Sequence, residues 1–130
     1  MTYLERTQQL QAMLDQGQDM AALDQFFHED LVVTEKPTGE QRHGLTEQKK
    51  AVEAWYDMVA SVQGAGTSAI AANEETGVSM AETWAEMTFK AAPGPSKIEE
   101  VVVYRWKGDR VKAMDFYYHN PMGNDAKDGA

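Results

Sequence analysis

The first half of the chain repeats its apolar residues at the three- and four-residue spacing of amphipathic helices. The stripe of the first predicted helix consists of Tyr3, Thr7, Leu10 and Leu14. Gly17 is a natural stop for this helix, because glycine favours the backbone conformation that ends helices. Asp19 and Thr46 belong to the residue types that cap helix N-termini, so we predict that they begin a second and a third helix.

The segment between the second and third helices contains a short strand-like run at residues 31–35, which Pro37 and Gly39 turn into a loop. The third predicted helix has the buried stripe Val52, Trp55, Val59 and Val62. Gly64 and Gly66 are expected to end it.

The second half of the chain is typical of β-structure, with predicted strands at residues 67–74, 78–90, 98–107 and 111–118. Gly108 and Asp109 form a two-residue turn of the kind that joins adjacent antiparallel strands. Helices followed by such strands predict the α+β class. We expect a cone-shaped, curved antiparallel sheet with the N-terminal helices packed on its concave face around an internal pocket.

Composition narrows the possible functions. The 130 residues suffice for one domain, which we place at residues 1–122, followed by a frayed tail at 123–130. The absence of cysteine excludes disulfides and thiolate sites, and the net charge of −9 argues against a nucleic-acid partner. No run of about 20 apolar residues predicts a membrane helix, and the first residues lack a signal peptide, so a cytoplasmic protein is expected.

The last predicted strand places one carboxylate, Asp115, among apolar and aromatic neighbours. A charged group in such a setting is costly unless it faces water or serves a purpose. Strict alternation puts Asp115 on the same face as Val111, Ala113 and Tyr117, which favours an inward orientation. A desolvated carboxyl of this kind has a raised pKa and can transfer protons near neutral pH.

The order of elements and three local patterns resemble one known superfamily. The patterns are the aromatic–acidic junction at residues 26–33, the Gly-led helix entry at 44–55, and the Tyr-Arg-Trp-Lys-Gly-Asp-Arg-Val hairpin at 104–111. Over residues 3–119 the chain resembles the SnoaL-like group of the nuclear-transport-factor-2-like superfamily, relatives of polyketide cyclases, ketosteroid isomerases and limonene epoxide hydrolases. The resemblance implies a homodimer formed through the sheet.

The resemblance also implies three catalytic candidates. Asp115, followed by aromatic residues, is similar to the pocket aspartate that ends the last strand of the epoxide hydrolases and polyketide cyclases. Glu86 resembles the acid of the Arg-x-Asp pair of the epoxide hydrolases, with Trp84 replacing the arginine, and Glu35 falls where ketosteroid isomerases carry their general base. The alternative interpretation is that Glu35 is solvated before a loop. The alternative for Glu86 is that it belongs to a solvent-facing strand face with Glu82, Thr88 and Lys90.

The chain departs from both enzyme patterns. The isomerase oxyanion tyrosine and aspartate correspond to Leu10 and Val102 here. The arginine, tyrosine and asparagine of the epoxide hydrolases correspond to Trp84, Val33 and Glu35. Neither steroid isomerisation nor epoxide hydrolysis is therefore implied.

Aromatic residues and His119 are candidates for lining a ligand pocket. The ligand-binding candidates are Trp84, Tyr56, Tyr104, Trp106 and His119. Core packing is the alternative for the aromatic residues, and a polar strand end is the alternative for His119. The three histidines, at 28, 43 and 119, lack the spacing of a metal site, so no metal is expected.

These features predict a protein that binds a small, mostly apolar cyclic molecule in an internal pocket. Any catalysis would be cofactor-independent acid/base chemistry of the cyclase, isomerase or dehydratase type, since paired carboxylates need no cofactor for it. The alternative is a non-catalytic ligand-binding or dimerisation module. For that module the small-residue face of the second long strand, at 79, 81, 83, 85, 87 and 89, is expected to pack against another sheet.

Overall fold

The computed structural model describes residues 1–119, so the tail expected at 123–130 lies outside the described residues. The elements in chain order are α1 (Tyr3–Asp15), α2 (Asp19–Phe26), β1 (Phe27–Glu35), β2 (Glu40–His43), α3 (Leu45–Met58), β3 (Val59–Asn73), β4 (Val78–Phe89), β5 (Pro95–Lys107) and β6 (Arg110–Tyr118). Three helices and one curved six-stranded sheet confirm the α+β class. Within residues 1–119, no helix combines the length and apolarity needed to cross a membrane.

The sheet has the strand order β2-β1-β6-β5-β4-β3 and is open at both edges. Four of its neighbouring pairs are antiparallel, but β1 runs parallel to β6. The expectation of a wholly antiparallel sheet is therefore wrong at this one pair. No hairpin joins β1 to the last strand, so nothing local fixes their relative direction.

The first helix forms as its apolar stripe predicts. Thr2 and Glu5 make a reciprocal capping box at its start, and Gly17 follows its end with a φ of 77°. Thr7 and Leu10 are fully buried, while Tyr3 and Leu14 pack at the edge of the core.

The two predicted N-caps are displaced by one or two residues. Helix α2 has Gln18 at its N-cap, and Asp19 instead accepts a hydrogen bond from Tyr56 on α3. Helix α3 has Gly44 at its N-cap with a φ of 98°, and Thr46 lies inside its first turn. A tertiary partner has replaced the local cap at Asp19, which the sequence pattern does not reveal.

The predicted third helix is too long. It ends at Met58, and Val59 and Val62 belong to β3, where they pair with Phe89 and Met87. These β-branched residues fit a helical stripe and a strand equally well by spacing. Gly64, expected as a helix stop, is a strand residue that lies under the ring of Trp84.

The hydrophobic core lies between the helices and one face of the sheet. It includes Leu10, Leu23, Phe26, Phe27, Leu31, Val33, Ala81, Val102, Tyr104, Trp106, Val111 and Met114. Ser79, Ala81 and Met87 of β4 are buried on this inner face, so they do not form the free sheet-packing surface expected of them. The opposite face of β4 carries Met80, Glu82, Trp84 and Glu86, which are exposed.

A short hairpin links β1 to β2 through residues 36–39, where Gly39 has a φ of 77°. The loop expected around Pro37 and Gly39 is thus confirmed, whereas β2 was not predicted. Strand β2 places Arg42 across from Val33, near the end of β1. This hairpin brings a cation to the acid at the end of β1.

Candidate functional site

A bulge in β6 sets which side chains of the last strand face the helices. Trp106 pairs with Val111, but Arg105 pairs with Ala113, so Lys112 is the extra residue. An extra residue reverses the alternation beyond it. Val111 faces the core before the bulge, and Met114 faces it afterwards.

Asp115 consequently lies on the outer face of the sheet, opposite to Met114 and Phe116. Its carboxylate Oδ2 lies 3.3 Å from the Arg105 guanidinium, whose side chain is half exposed. Asp115 itself is buried by its strand neighbours, with 8% of its surface exposed. The predicted inward orientation of Asp115 is wrong, because strict alternation does not anticipate the bulge.

Glu86 and Trp84 also lie on the outer face, since Ala81, Met87 and Phe89 of the same strand face the core. Glu86 is exposed. The Trp84 ring covers Gly64 and Gly66 of β3. The Nζ atom of Lys97 lies 5.9 Å from the centroid of the same ring. The alternative interpretation of Glu86, a wet strand face, is confirmed, and Trp84 does not line the interior.

Glu35 ends β1 on the inner face and is held by two partners. Arg42 Nη2 donates to its Oε2 at 2.6 Å, and the Tyr118 hydroxyl donates to its Oε1 at 2.8 Å. Both Glu35 and Arg42 side chains are under 20% exposed. Gln48 accepts a hydrogen bond from Arg42 Nε at 2.8 Å, so one guanidinium links α3 to the end of β1. The interpretation of Glu35 as a solvated residue is therefore wrong.

Glu100 is the second carboxyl of this site, and sequence reasoning missed it. It lies on β5 on the same face as Val102 and Tyr104, and its register partner on β6 is Tyr118. Burial raises the pKa of Glu100 to about 7, and the nearby negative charge of Glu35 adds to the effect. Within residues 1–119, no hydrogen bond or ion pair reaches the Glu100 carboxyl. The alternation that predicts Tyr104 and Trp106 on one face also includes Glu100, so this signal was present.

Tyr104 is wholly buried at the inner end of the site. Its hydroxyl donates to Gln11 Oε1 on α1, and Gln11 Nε2 donates to Thr67 Oγ1 at 3.1 Å. Thr67 in turn donates to Asp15 at 3.1 Å. Burial raises the pKa of Tyr104, with the charge of Glu100 adding to it. The phenol therefore stays neutral and fastens α1 to the sheet.

Trp106 has a structural position. It is 8% exposed, its indole N–H donates to Ser79 Oγ at 2.9 Å, and Phe26 packs edge-on against it. The core-packing interpretation is confirmed for this residue.

Tyr56 lies at a cleft between the α1–α2 turn and α3. The cleft has a volume of about 670 Å³ and is lined by Gly17, Gln18, Asp19, Met20, Ala21, Val52, Glu53, Tyr56 and Asp57. The Tyr56 hydroxyl donates to Asp19 Oδ1 at 2.8 Å. Burial raises the pKa of Tyr56 to about 12, and burial also raises the pKa of Asp19. The pair bridges α2 and α3.

His119 lies at a second cleft, at the end of β6. This cleft has a volume of about 750 Å³ and is lined by Lys36, Pro37, Tyr117, Tyr118 and His119. Tyr118 belongs both to this cleft and to the hydrogen-bonded cluster of Glu35. The cleft thus borders the phenol that donates to Glu35.

The site chemistry is that of two carboxyls in unlike surroundings. Glu35 is fixed by a cation and a phenol, whereas Glu100 has no protein partner among the described residues. Such a difference separates the roles of two acids. In the part of the chain that the structure describes, no three His, Cys, Asp or Glu side chains are grouped as metal ligands would be.

No protein-family model and no curated protein matches the sequence. Solved structures do match. A candidate SnoaL-like polyketide cyclase from Mesorhizobium loti is 21% identical with a TM-score of 0.78, over 91% of this chain and 100% of that one. A protein from Catenulispora acidiphila with a ketosteroid isomerase-like fold, in complex with trimethylamine, is 18% identical with a TM-score of 0.72, over 88% and 85%.

A candidate isomerase from Bacillus subtilis is 12% identical with a TM-score of 0.74, over 97% of this chain and 92% of that one. At these identities the likeness establishes the architecture and leaves the activity open. The chain therefore has the nuclear-transport-factor-2-like fold.

Proposed function

We propose that this protein binds a small, mostly apolar cyclic molecule on the concave side of its sheet and transfers a proton on it without a cofactor. Glu100 is the proton-transferring group, and Glu35 is the second carboxylate. The observation that carries the proposal is the partly buried Glu100, which has no hydrogen-bond or ion-pair partner among the described residues, beside the firmly held Glu35. The catalytic role expected for Asp115 and Glu86 passes to these two residues, which face the helices.

The pKa of Glu100 suits proton transfer at neutral pH. A group with a pKa of about 7 is present in both protonation states there, so it can take a proton and return it. In an enolisation, the carboxylate of Glu100 accepts a proton from carbon and its acid form then returns a proton to another atom of the same molecule. In an aldol-type cyclisation, the carbanion left by the first step attacks a carbonyl carbon of the same molecule, and the returned proton goes to the carbonyl oxygen. In a dehydration, the returned proton goes to a hydroxyl group, which leaves as water.

The surroundings favour an apolar ligand. Val102 and Phe116 pack on the inner face near Glu100, and Met114 and Tyr104 continue the apolar wall. The structural neighbours described as polyketide cyclase and isomerase candidates support this reaction class. The neighbour in complex with trimethylamine supports binding of a small organic molecule by this fold.

The experiment that tests the proposal is a ¹³C NMR titration of the glutamate carboxyl groups, with the Glu100 resonance assigned from Glu100→Gln. We expect an apparent pKa near 7 for Glu100. An ordinary value near 4.3 would contradict the proposal, because the carboxyl would then be fully ionised at neutral pH. Glu86→Gln is the matched control, since it removes a carboxyl from the outer face and is expected to leave the Glu100 titration unchanged.

The second candidate function is a non-catalytic dimerisation module. It is favoured by the apolar side chains exposed on the outer sheet face, where Met80 is 47% exposed and Tyr117 is 44% exposed. Under this proposal two copies pack these faces together as a homodimer. Sedimentation of the protein and of Met80→Lys/Tyr117→Lys tests it. A dimer that becomes monomeric in the variant supports the interface, and a monomeric parent protein would exclude it.

A further inference from the structure

Gln48 is a buried residue with a polar group that the protein leaves unused. It lies in the first turn of α3 and is 5% exposed. Its side-chain oxygen accepts a hydrogen bond from Arg42 Nε at 2.8 Å. Among the described residues, nothing accepts a hydrogen bond from its amide nitrogen Nε2. Buried polar groups in folded proteins almost always have a partner, so this donor calls for one.

The hydrogen bond from Arg42 fixes the orientation of the Gln48 amide. Because Arg42 donates to the oxygen, the oxygen points at the guanidinium and the two N–H donors point away from it. The same guanidinium holds Glu35 through Nη2 at 2.6 Å. Gln48 is therefore linked to Glu35 through one guanidinium group, and its unused donor points away from that guanidinium.

The other donors of this cluster are already engaged. The Tyr118 hydroxyl donates to Glu35, and the Tyr104 hydroxyl donates to Gln11. Glu35 accepts hydrogen bonds from Arg42 and Tyr118, and both Glu35 and Glu100 are negatively charged when they are ionised. An anionic ligand is disfavoured next to these two carboxyls, because like charges repel strongly where water is scarce.

We propose that the Gln48 amide is a ligand-binding group that donates a hydrogen bond to an uncharged oxygen, a carbonyl or hydroxyl, of the molecule on which Glu100 acts. This inference rests on the proposed function and adds the position of the ligand's oxygen. Gln48 anchors the oxygen on the α3 side, and Glu100 contacts the ligand from β5. The bound ligand thus points its oxygen toward α3 and the atom that exchanges a proton toward β5.

The experiment uses cyclohexanone as the oxygen-containing probe and methylenecyclohexane as a probe of similar shape without a hydrogen-bond-accepting oxygen. The side-chain N–H resonances of Gln48 are followed by ¹⁵N NMR, with assignment from Gln48→Met. We expect cyclohexanone to shift them and methylenecyclohexane to leave them in place. Gln63, whose amide already donates to Ser61 at 2.9 Å, is the internal reference.

Two variants separate ligand binding from support of Arg42. Gln48→Glu keeps an oxygen acceptor for Arg42 but removes the donor, whereas Gln48→Met removes both. We expect both variants to weaken cyclohexanone binding by about tenfold, the effect of one hydrogen bond, with no change for methylenecyclohexane. If Gln48→Glu binds cyclohexanone as the parent protein does, Gln48 serves only Arg42 and the inference is overturned.

The outcomes distinguish this inference from the proposed function. If cyclohexanone shifts the Glu100 carboxyl resonance but not the Gln48 amide, the Gln48 inference fails and the proposed function stands. If the Gln48 amide shifts while Glu100 titrates with an ordinary pKa, the inference stands and the proposed function fails. If neither group responds to the probe, the inference fails, and the titration of Glu100 alone then decides the proposed function.

Discussion

Tyr118 is the register partner of Glu100 across β5 and β6, yet its hydroxyl donates to Glu35, at 2.8 Å. The one phenol placed beside both inner carboxyls thus stabilises the carboxylate that already has a cation. Glu100 is left with an apolar environment and the charge of Glu35 nearby. This choice of partner makes the two acids chemically different.

Stability is expected to depend on the charge of Glu100. Its pKa is about 7 in the folded protein against 4.5 for the free group, so the folded state keeps a proton that the unfolded chain releases. The unfolding free energy therefore falls as the pH rises from about 4.5 to about 7, by at most about 3 kcal/mol. Glu100→Gln removes this contribution, so the variant is expected to be more stable than the parent protein at pH 8. Urea unfolding at pH 5 and pH 8 measures both differences.

Glu86→Gln is the matched control for this experiment, because Glu86 is exposed on the outer face. Its stability difference from the parent protein should be nearly the same at pH 5 and pH 8. A Glu100→Gln variant that behaves like this control would show that Glu100 is solvated in the folded protein.

Removing the charge of Glu35 is expected to lower the pKa of Glu100 only in part. In Glu35→Gln the repulsion between the two carboxyls is lost, but burial, the larger cause of the raised pKa, remains. The ¹³C titration of Glu100 in this variant should give a value between the ordinary one and about 7. An unchanged value would mean that the two carboxyls do not interact.

Arg42 is expected to contribute to stability far more than a surface cation does. Arg42→Met leaves the Glu35 carboxylate with only Tyr118 as a partner and removes the partner of Gln48. Loss of one member of a buried ion pair costs about 3 kcal/mol, and the partial exposure here reduces this to about 2 kcal/mol. Urea unfolding at pH 7 measures the change.

Lys50→Met is the comparison for Arg42→Met. Lys50 pairs with Glu47 at 3.2 Å, but both side chains are more than half exposed. Exposed pairs contribute little, so the effect should stay below about 0.5 kcal/mol. Similar losses in the two variants would show that the Glu35–Arg42 pair is a surface contact.

Gly66 is expected to tolerate no side chain. A Cβ at this position would lie 2.8 Å from Trp84 Nε1, closer than van der Waals contact permits. Gly66→Ala should therefore destabilise the protein by about 1–3 kcal/mol, the usual cost of overpacking. Gly94→Ala, where a Cβ meets nothing within 4 Å, should be close to neutral in thermal unfolding. If Gly66→Ala is equally neutral, the Trp84 ring moves freely and does not cover β3.

The sequence predicted which helices and strands form better than it predicted which strand side chains face the core. The hairpin at Gly108 and the stripe of α1 follow from local rules, and the structure confirms them. The bulge at Lys112 depends on the pairing of β6 with β5, so no pattern within β6 alone reveals that Asp115 turns outward. In the unbroken strand β5, alternation from Tyr104 places Glu100 on the inner face, so Glu100 was predictable although it was missed. Arg42 was not predicted as the partner of Glu35, because the short strand β2 lacks an apolar pattern.

The parallel pairing of β1 with β6 affects the order in which contacts form while the chain is synthesised. Glu35 and its partner Tyr118 are separated by 83 residues, so a ribosome completes the intervening chain before this hydrogen bond can form. Contacts between such distant segments are slow to close compared with hairpins and helices. The hairpin of β1 and β2 is local and can form earlier, whereas Glu35 gains its full set of partners only when translation has passed Tyr118. A nascent chain halted before β6 would already contain Glu35 and Glu100 but would lack Tyr118, so the site proposed for this protein is complete only at the final stage of its folding.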